Sequence, residues 1–395
     1  MFRTPISPSL TPRQHGAGLT CPVARSPHGA LFALVAALLV VVQGFASLPA
    51  GAQPALSLEQ MQRVVAAASS HSAPWQGPVT GPPGQTGKRI ALVTEDLRNG
   101  GILGVARGVE EAAAELRWQI RLFDAGGTQA GRDKALADAL ATNPDGVIII
   151  GADADKLRTR LTPFARSGTP VVGWHVGPVA GRMDGAVAMN VSTDPLEVAR
   201  VTAMAAVVEA RGRAGVVIFT DSNFEIALAK SDAMAEVVRA CAECALLDIH
   251  DMPISRSAEL MPATVRAMWA RHGERWTHAL AINDLYFDHA APELTLAGVA
   301  SGRIAMLSAG DGSHAAFQRI RAGIFQTATV AEPLNLHGWQ LVDELNRLLA
   351  GHAVTGHAFP VHLVTRANIA FDGGGRFEYD PENGYRDIYR SIWRR

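Results

Sequence analysis

The sequence has little of what marks several other classes of protein. It holds only three cysteines among 395 residues, and its 36 Lys and Arg nearly balance 37 Asp and Glu. This balance removes the electrostatic argument for binding nucleic acid or an anionic membrane surface. Hydrophobic residues make up 48% and charged residues 18%, which excludes broad disorder. A chain of this length predicts two domains.

Long apolar runs are also scarce, apart from residues 30–42 near the N-terminus. This run follows basic residues and precedes small ones, an order that predicts a secretory signal over 1–52 with cleavage after Ala52. The run is short for a bilayer span, which needs about 20 residues. An uncleaved anchor is the alternative. We therefore expect a periplasmic protein that is not inserted in the membrane once the signal is removed.

The few cysteines limit the chemistry. Cys21 lies in the predicted signal, and Cys241 and Cys244 form a C-x-x-C pair. There is no second pair to complete a zinc site, and no metal site is predicted. In an exported protein the pair favours a local disulfide at a corner between a helix and a strand. Metal binding and redox work are the alternatives.

Strand and helix patterns alternate along most of the chain. A leader over 53–87 holds one possible amphipathic helix and then a stretch rich in Pro and Gly, so the folded body begins near Lys88. Short apolar strands that alternate with helices predict an α/β fold of parallel sheets covered on both faces. About ten strands are too many for one sheet. We therefore expect two similar halves, joined near residues 190–194.

The turn after the first strand, "VTEDLRNGGILG", lacks a dinucleotide fingerprint. G-x-G-x-x-G is absent, and the carboxylates of Glu95 and Asp96 stand where phosphate would be repelled. No cofactor is therefore predicted. Ligands of such folds lie beyond the carboxyl ends of the strands. Acidic and amide side chains there, Asn99 included, suit a neutral ligand with many hydroxyls, or a cationic one.

Polar and aromatic residues follow the other strands as well. Carboxylates accept hydrogen bonds from hydroxyls, and rings cover the apolar face of a sugar. The alternatives are that Asp284 caps the next helix and that Trp174 and His175 belong to the core. The predicted ligand-binding residues are Glu95, Asp96, Asn99, Trp174, His175, Phe224, Asn283, Asp284, Asp311 and Glu332.

An ordered set of segments resembles a known family. The segments include "RIALVTEDLRNGGILG", "NPDGVIIIGADADKL", "SGTPVVGWH", "LAINDLYF" and "IAMLSAGDG". In order and spacing, over about 88–366, they resemble the ribose-binding-like periplasmic substrate-binding proteins of sugar ABC transporters. Within this resemblance, Glu95 and Asn99 fall on first-strand polar positions. The Asn283–Asp284 pair and Asp311 are kept.

Other positions depart from the ribose-type pattern. Gly101 and Ile102 stand where those proteins have paired aromatic rings, and His175 stands where they begin an Asp-Arg pair. Lys230 is the cation nearest to the position of an Arg, and Glu332 replaces a hinge Gln. The resemblance also supports a disulfide between the two C-x-x-C cysteines, because other branches of the family carry such a pair before the same strand.

The resemblance implies two Rossmann-like lobes joined by a three-stranded hinge. One lobe would comprise 88–190 with 333–362, and the other 191–332 with 363–395. The implied function is a solute-binding receptor for a sugar or polyol, which closes on its ligand and delivers it to an ABC transporter permease. A ligand-sensing protein for a chemoreceptor or sensor kinase is the alternative.

Two further classes are disfavoured. A sugar-responsive repressor of the same fold needs a basic helix-turn-helix where this chain has a signal and a leader, so no nucleic acid partner is expected. A redox or hydrolytic enzyme on the same fold could use His175 with Asp311 or Glu95 as acid and base, or the C-x-x-C pair in redox work. No nucleophile with a base is evident, and no catalytic residue is predicted.

Overall fold

A computed structural model describes residues 56–71, 74–373 and 375–394. The predicted signal lies outside these residues. Within them, two mixed, mostly parallel sheets of six strands carry helices on both faces. No helix in the described ranges is long and apolar enough to cross a bilayer.

The first sheet forms one lobe and has the strand order β2-β1-β3-β4-β6-β5. Only the short β5 pairs antiparallel, at the edge. Its strands are β1 (Arg89–Thr94), β2 (Gln119–Asp124), β3 (Gly146–Ile150), β4 (Val171–Trp174), β5 (Gly181–Arg182) and β6 (Met189–Val191).

The second sheet forms the other lobe, with the order β12-β11-β10-β9-β7-β8. The edge strand β12 pairs antiparallel with β11. Its strands are β7 (Gly215–Thr220), β8 (Ala245–Asp251), β9 (His278–Ala281), β10 (Ala305–Ser308), β11 (Gln326–Val330) and β12 (Leu363–Thr365).

Most helices connect successive strands. One helix precedes the first strand along the chain, and two follow the last strand. They are α1 (Leu58–Ala68), α2 (Gly100–Glu115), α3 (Gln129–Ala141), α4 (Arg158–Arg166), α5 (Pro195–Glu209), α6 (Glu225–Ala240), α7 (Ser257–His272), α8 (Leu285–Leu296), α9 (His314–Ala322), α10 (Leu334–Leu349), α11 (Ile369–Asp372) and α12 (Tyr385–Trp393).

Alternation of side chains along the strands builds two apolar layers on the first sheet. Ile148 and Ile150 of β3 pack into one hydrophobic cluster, and Val147 and Ile149 pack into another. Successive side chains of a strand point to opposite faces, so a strand covered on both faces must be apolar throughout. This is why β3 is fully buried, and why its sequence predicts a central strand.

The C-x-x-C pair is a disulfide. Cys241 follows the last residue of α6, and Cys244 precedes the first residue of β8. The two half-cystines therefore lie at the corner between a helix and a strand, as predicted from the sequence.

The segments outside the sheets connect the two lobes again. Met61 of α1 packs in the core of the second lobe, whereas Trp75 packs against the first. Ile369 of α11 packs with Phe317 of α9, and the tail then returns to the first lobe. We call residues 56–71 and 74–87 together with 366–373 and 375–394 the extension.

The C-terminal part of the extension differs from the sequence-based boundary, which grouped 363–395 with the second lobe. Tyr389 and Trp393 of α12 are buried in the hydrophobic cluster of the first lobe. The reason is the apolar face of α10, where Trp339 stacks on Trp393 with 5.5 Å between ring centroids.

Candidate ligand-binding cleft

A cavity of about 90 Å³ lies between the lobes, where the carboxyl ends of the two sheets face each other. Loops after β1, β2, β3 and β4 line it from one side, and loops after β7, β8, β9 and β10 line it from the other. Parallel sheets place loop side chains together at this edge. Of the predicted ligand-binding residues, the cavity is lined by Glu95, Asp96, Asn99, Trp174, His175, Phe224, Asn283 and Asp311.

The acids of the first turn already have partners. Glu95 accepts two hydrogen bonds from Arg132, at 2.7 and 2.5 Å. Burial raises the pKa of Glu95, and Arg132 opposes that rise. Asp96 accepts hydrogen bonds from the guanidinium of Arg98 at 2.9 and 2.6 Å. Both carboxylates of this turn are therefore paired with arginine side chains, which largely offset their negative charge.

Arg132 is a cavity residue that the sequence reasoning missed. It lies in the first turn of α3, and its guanidinium carbon sits 5.6 Å from the ring centroid of Phe224 in the other lobe. Such a placement attracts the cation to the ring. Its position just after a strand end, in a helix capped by Thr128, was the available signal.

Trp174 and His175 form a stacked pair at the end of β4. Their ring centroids lie 3.6 Å apart, with 10° between planes. The indole N–H of Trp174 donates to Nδ1 of His337 at 3.1 Å. One face of the Trp174 ring is thus covered by His175, and the indole is fixed beneath the cavity. In this arrangement Phe224 is the more accessible ring for stacking against a ligand.

Asn283 and Asp311 meet in the second lobe. The Asn283 amide donates to Oδ2 of Asp311 at 2.6 Å. Burial raises the pKa of Asp311 to about 6, although His175 and Lys230 pull it down. The ammonium of Lys230 donates to the carbonyl of Ala309 at 2.7 Å. The cavity therefore has a buried acid and a buried cation on the same wall.

Asp284 does not line the cavity. Its Oδ2 accepts from the backbone N–H groups of Gly312 and Ser313 at 2.7 and 3.0 Å, and Gln326 donates to Oδ1. Its side chain also makes no cap bond to α8. Asp284 instead fixes the loop that carries Asp311.

Glu332 also lies outside the cavity lining, beneath His175. Its Oε1 is 2.8 Å from Nε2 of His175, and its Oε2 is 3.4 Å from the backbone nitrogen of Thr193. Burial raises the pKa of Glu332, but His175 and Lys230 outweigh it and lower the pKa to about 2. Glu332 therefore carries charge at the point where the chain crosses between lobes.

Two further cavity residues lie in the loop after β8 and were not predicted, although they follow a strand end. Ile254 and Ser255 line the cavity from the loop before α7. Asp221 accepts from the backbone nitrogens of Asn223 and Ile254 and so holds this loop beside the loop after β7. A contact between two loops that are distant in sequence has no local signal.

Glycines allow close approach of the lobes. A Cβ on Gly101 would lie 2.0 Å from Oδ2 of Asp311, and one on Gly100 would lie 2.8 Å from Cβ of Ser313. An aromatic side chain at position 101 would collide with the second lobe. This explains physically why the aromatic pair of ribose-type proteins has no counterpart at Gly101.

Two lobes with a cleft at the carboxyl ends of both sheets define the class of two-domain binding proteins. A family model described as "Periplasmic binding protein domain" matches residues 90–353, and the chain belongs to this family. No curated protein matches the chain.

Solved structures share the fold at low sequence identity. A solute-binding protein from Agrobacterium vitis with bound allitol is 18% identical, with a TM-score of 0.62 over 72% of this chain and 97% of that one. A myo-inositol binding protein from Caulobacter is 18% identical, with a TM-score of 0.64 over 75% and 98%. A sugar ABC transporter protein from Yersinia enterocolitica is 15% identical, with a TM-score of 0.65 over 78% of this chain and 94% of that one.

These comparisons set the extension apart. The Agrobacterium structure is covered over nearly all of its own length, whereas 72% of this chain is matched. The family model begins at residue 90 and ends at 353. The extension therefore lies outside the region that defines the family.

Proposed function

We propose that this protein is a periplasmic receptor for a neutral, hydroxyl-rich solute, a sugar or polyol, which it delivers to an ABC transporter permease after lobe closure. The observation that carries the proposal is the cleft itself, lined from both lobes by amides, acids and a ring. A ligand that contacts both lobes stabilises the closed form over the open one.

The charge pairing within the cleft supports a neutral ligand. Glu95 is paired with Arg132 and Asp96 with Arg98, so the acids on the first lobe's side of the cleft already have cationic partners. A strongly charged ligand would find no unpaired opposite charge among these groups, so they favour a neutral one. Hydroxyls can instead donate to the carboxylates and accept from amides, and several such bonds can reach micromolar affinity, about −8 kcal/mol.

The structures that share the fold point the same way. Two of them hold bound allitol and bound myo-inositol, both of them polyols. In this proposal the chain acts as a receptor and not as an enzyme. His175 holds the cleft in shape, and it does not move a proton to a substrate.

Calorimetry against a panel of hexoses, pentoses, alditols, inositols and small amines tests the proposal. We expect micromolar binding of one hydroxyl-rich compound. Arg132→Met should weaken it about tenfold or more, because Glu95 is left charged and unpaired in the cleft. Arg160→Met, which breaks an exposed pair with Asp133, is the matched control and should bind normally. No heat from any panel member would refute the proposal.

A further inference from the structure

Three buried side chains converge beneath the cleft from separate parts of the chain. His175 follows β4 in the first lobe, Asp311 lies in the loop after β10 in the second, and Glu332 lies where the chain crosses between lobes after β11. Each offers a nitrogen or oxygen atom, and these atoms all lie within 4.8 Å of one another. Their residues are 8%, 3% and 1% exposed.

Each of these side chains is also held from behind. Oδ2 of Asp311 accepts from Asn283, which leaves Oδ1 at 4.0 Å from Nδ1 of His175. Oε2 of Glu332 lies near the backbone nitrogen of Thr193, while Oε1 faces His175. The imidazole is held flat by the stacked ring of Trp174. Metal ligands in proteins are oriented in this way by partners on their other atoms.

The charges around the cluster leave a place for a cation. Two carboxylates are buried against one imidazole, and buried acids need compensation. The facing ionisable groups are Lys230, whose ammonium is engaged with the carbonyl of Ala309, the acid Asp284, and His337, whose Nδ1 accepts from Trp174. One engaged ammonium does not match these acids. An imidazole with two carboxylates is a donor set suited to first-row divalent ions.

We propose that His175, Asp311 and Glu332 bind one divalent transition-metal ion, such as Zn²⁺ or Mn²⁺, beneath the cleft, with open positions for ligand hydroxyls. The sequence alone predicted no metal. Because the three donors come from both lobes and the crossing between them, the ion binds the closed form preferentially. The metal site stands on its own geometry, and only its role in binding hydroxyls rests on the proposed function.

The test uses the full chain, stripped with EDTA and titrated with ZnCl₂ and MnCl₂ by calorimetry. We expect one ion bound per chain and a higher melting temperature with the ion than without it. The electron paramagnetic resonance spectrum of Mn²⁺ should be that of a bound and not of a free ion. His175→Ala and Asp311→Asn should each weaken binding about 100-fold or more. The control is His314→Ala, which removes the exposed partner of Glu378 and should leave binding unchanged.

Two outcomes would overturn the metal site: no uptake of either ion at millimolar concentration, or equal uptake by the His175 and His314 variants. If His175→Ala fails to fold, as judged by circular dichroism, Glu332→Gln and His175→Gln replace it with the same expectation. Repeating the sugar and polyol panel with EDTA separates the two proposals. Unchanged ligand affinity in EDTA would keep the receptor and remove the metal from ligand recognition.

Discussion

Across the cleft the lobes touch through polar groups and bare backbone, whereas the extension packs on the lobes through buried aromatic and aliphatic side chains. Lys156 of the first lobe donates to the carbonyl of Asn223 in the second, and Gly127 lies against Ser255. In the extension, Trp75 meets Tyr389 edge to face at 5.4 Å, and Trp393 stacks on Trp339.

The difference separates two tasks. Polar contacts between lobes exchange readily for contacts with water, so the cleft can open and close at small cost in free energy. Buried apolar area cannot be exposed without losing its full transfer free energy. We therefore expect the extension to set stability and the cleft contacts to set the balance between open and closed forms.

The largest expected effect is on the extension. Trp393→Ala removes a buried ring that stacks on Trp339 and donates to Asp343 at 2.8 Å. We expect the free energy of unfolding to fall by about 3–5 kcal/mol, as for other buried aromatic truncations. Denaturant unfolding measures it, with the exposed Phe371→Ala as control. An equal, small loss in both variants would show that the extension contributes no packing.

Buried acids in the cleft and in α10 have different kinds of partner. Glu95 and Asp96 in the cleft have arginine partners, but the partner of Glu344 in α10 is Thr355, which donates both a backbone and a hydroxyl hydrogen bond. Burial raises the pKa of Glu344 from 4.5 to about 7, opposed by Thr355. The stability contributed by the protonated acid is thus full below pH 4.5 and lost as pH rises through about 7.

Glu344→Gln should remove that pH dependence. We expect the variant to gain roughly 3 kcal/mol relative to wild type between pH 4.5 and pH 8, the size that the pKa shift implies. Unfolding free energies at the two pH values measure it. Glu382→Gln, on an exposed acid of the tail, is the control. A constant difference between Glu344→Gln and wild type at all pH values would contradict the burial argument.

The next largest effect is expected at Gly127, where the two lobes approach each other across the cleft. A Cβ on Gly127 would lie 2.5 Å from Cβ of Ser255, so Gly127→Ala should disfavour closure by about 1–3 kcal/mol. Gly126→Ala is a matched control, because both positions have positive φ and no atom lies within 4 Å of its added Cβ. X-ray scattering should show a larger radius of gyration for Gly127→Ala alone. Identical scattering from both variants would mean that backbone strain, and not contact with the other lobe, causes any effect of Gly127→Ala.

The smallest expected effect is at Lys156. Lys156→Met removes its bond to the carbonyl of Asn223 and should disfavour closure by about 0.5–1.5 kcal/mol, with unchanged stability. Ligand affinity by calorimetry measures this. Lys134→Met, which breaks an exposed pair within α3, is the control. A large loss of stability in Lys156→Met would break the division between the two regions.

The layered fold and the location of the cleft follow from the sequence alone. The short, unbroken apolar run of β3 and the helical spacing in α2 are local properties, so they can be recognised without knowing what packs nearby. The rule that loops follow strands to a common edge then brought Glu95, Asn283 and Asp311 together. The C-x-x-C disulfide was likewise a local inference, because its ends are three residues apart.

Only the tertiary structure decided which partners those side chains have. Arg132 reaches Glu95 from the first turn of α3, the indole of Trp174 donates to His337 of α10, and Asp284 fixes a loop instead of facing the cavity. It also placed α12 on the first lobe, because α10 offers Trp393 both the ring of Trp339 and the carboxylate of Asp343. These contacts join segments tens to hundreds of residues apart, and a side chain's own sequence neighbours carry no record of them.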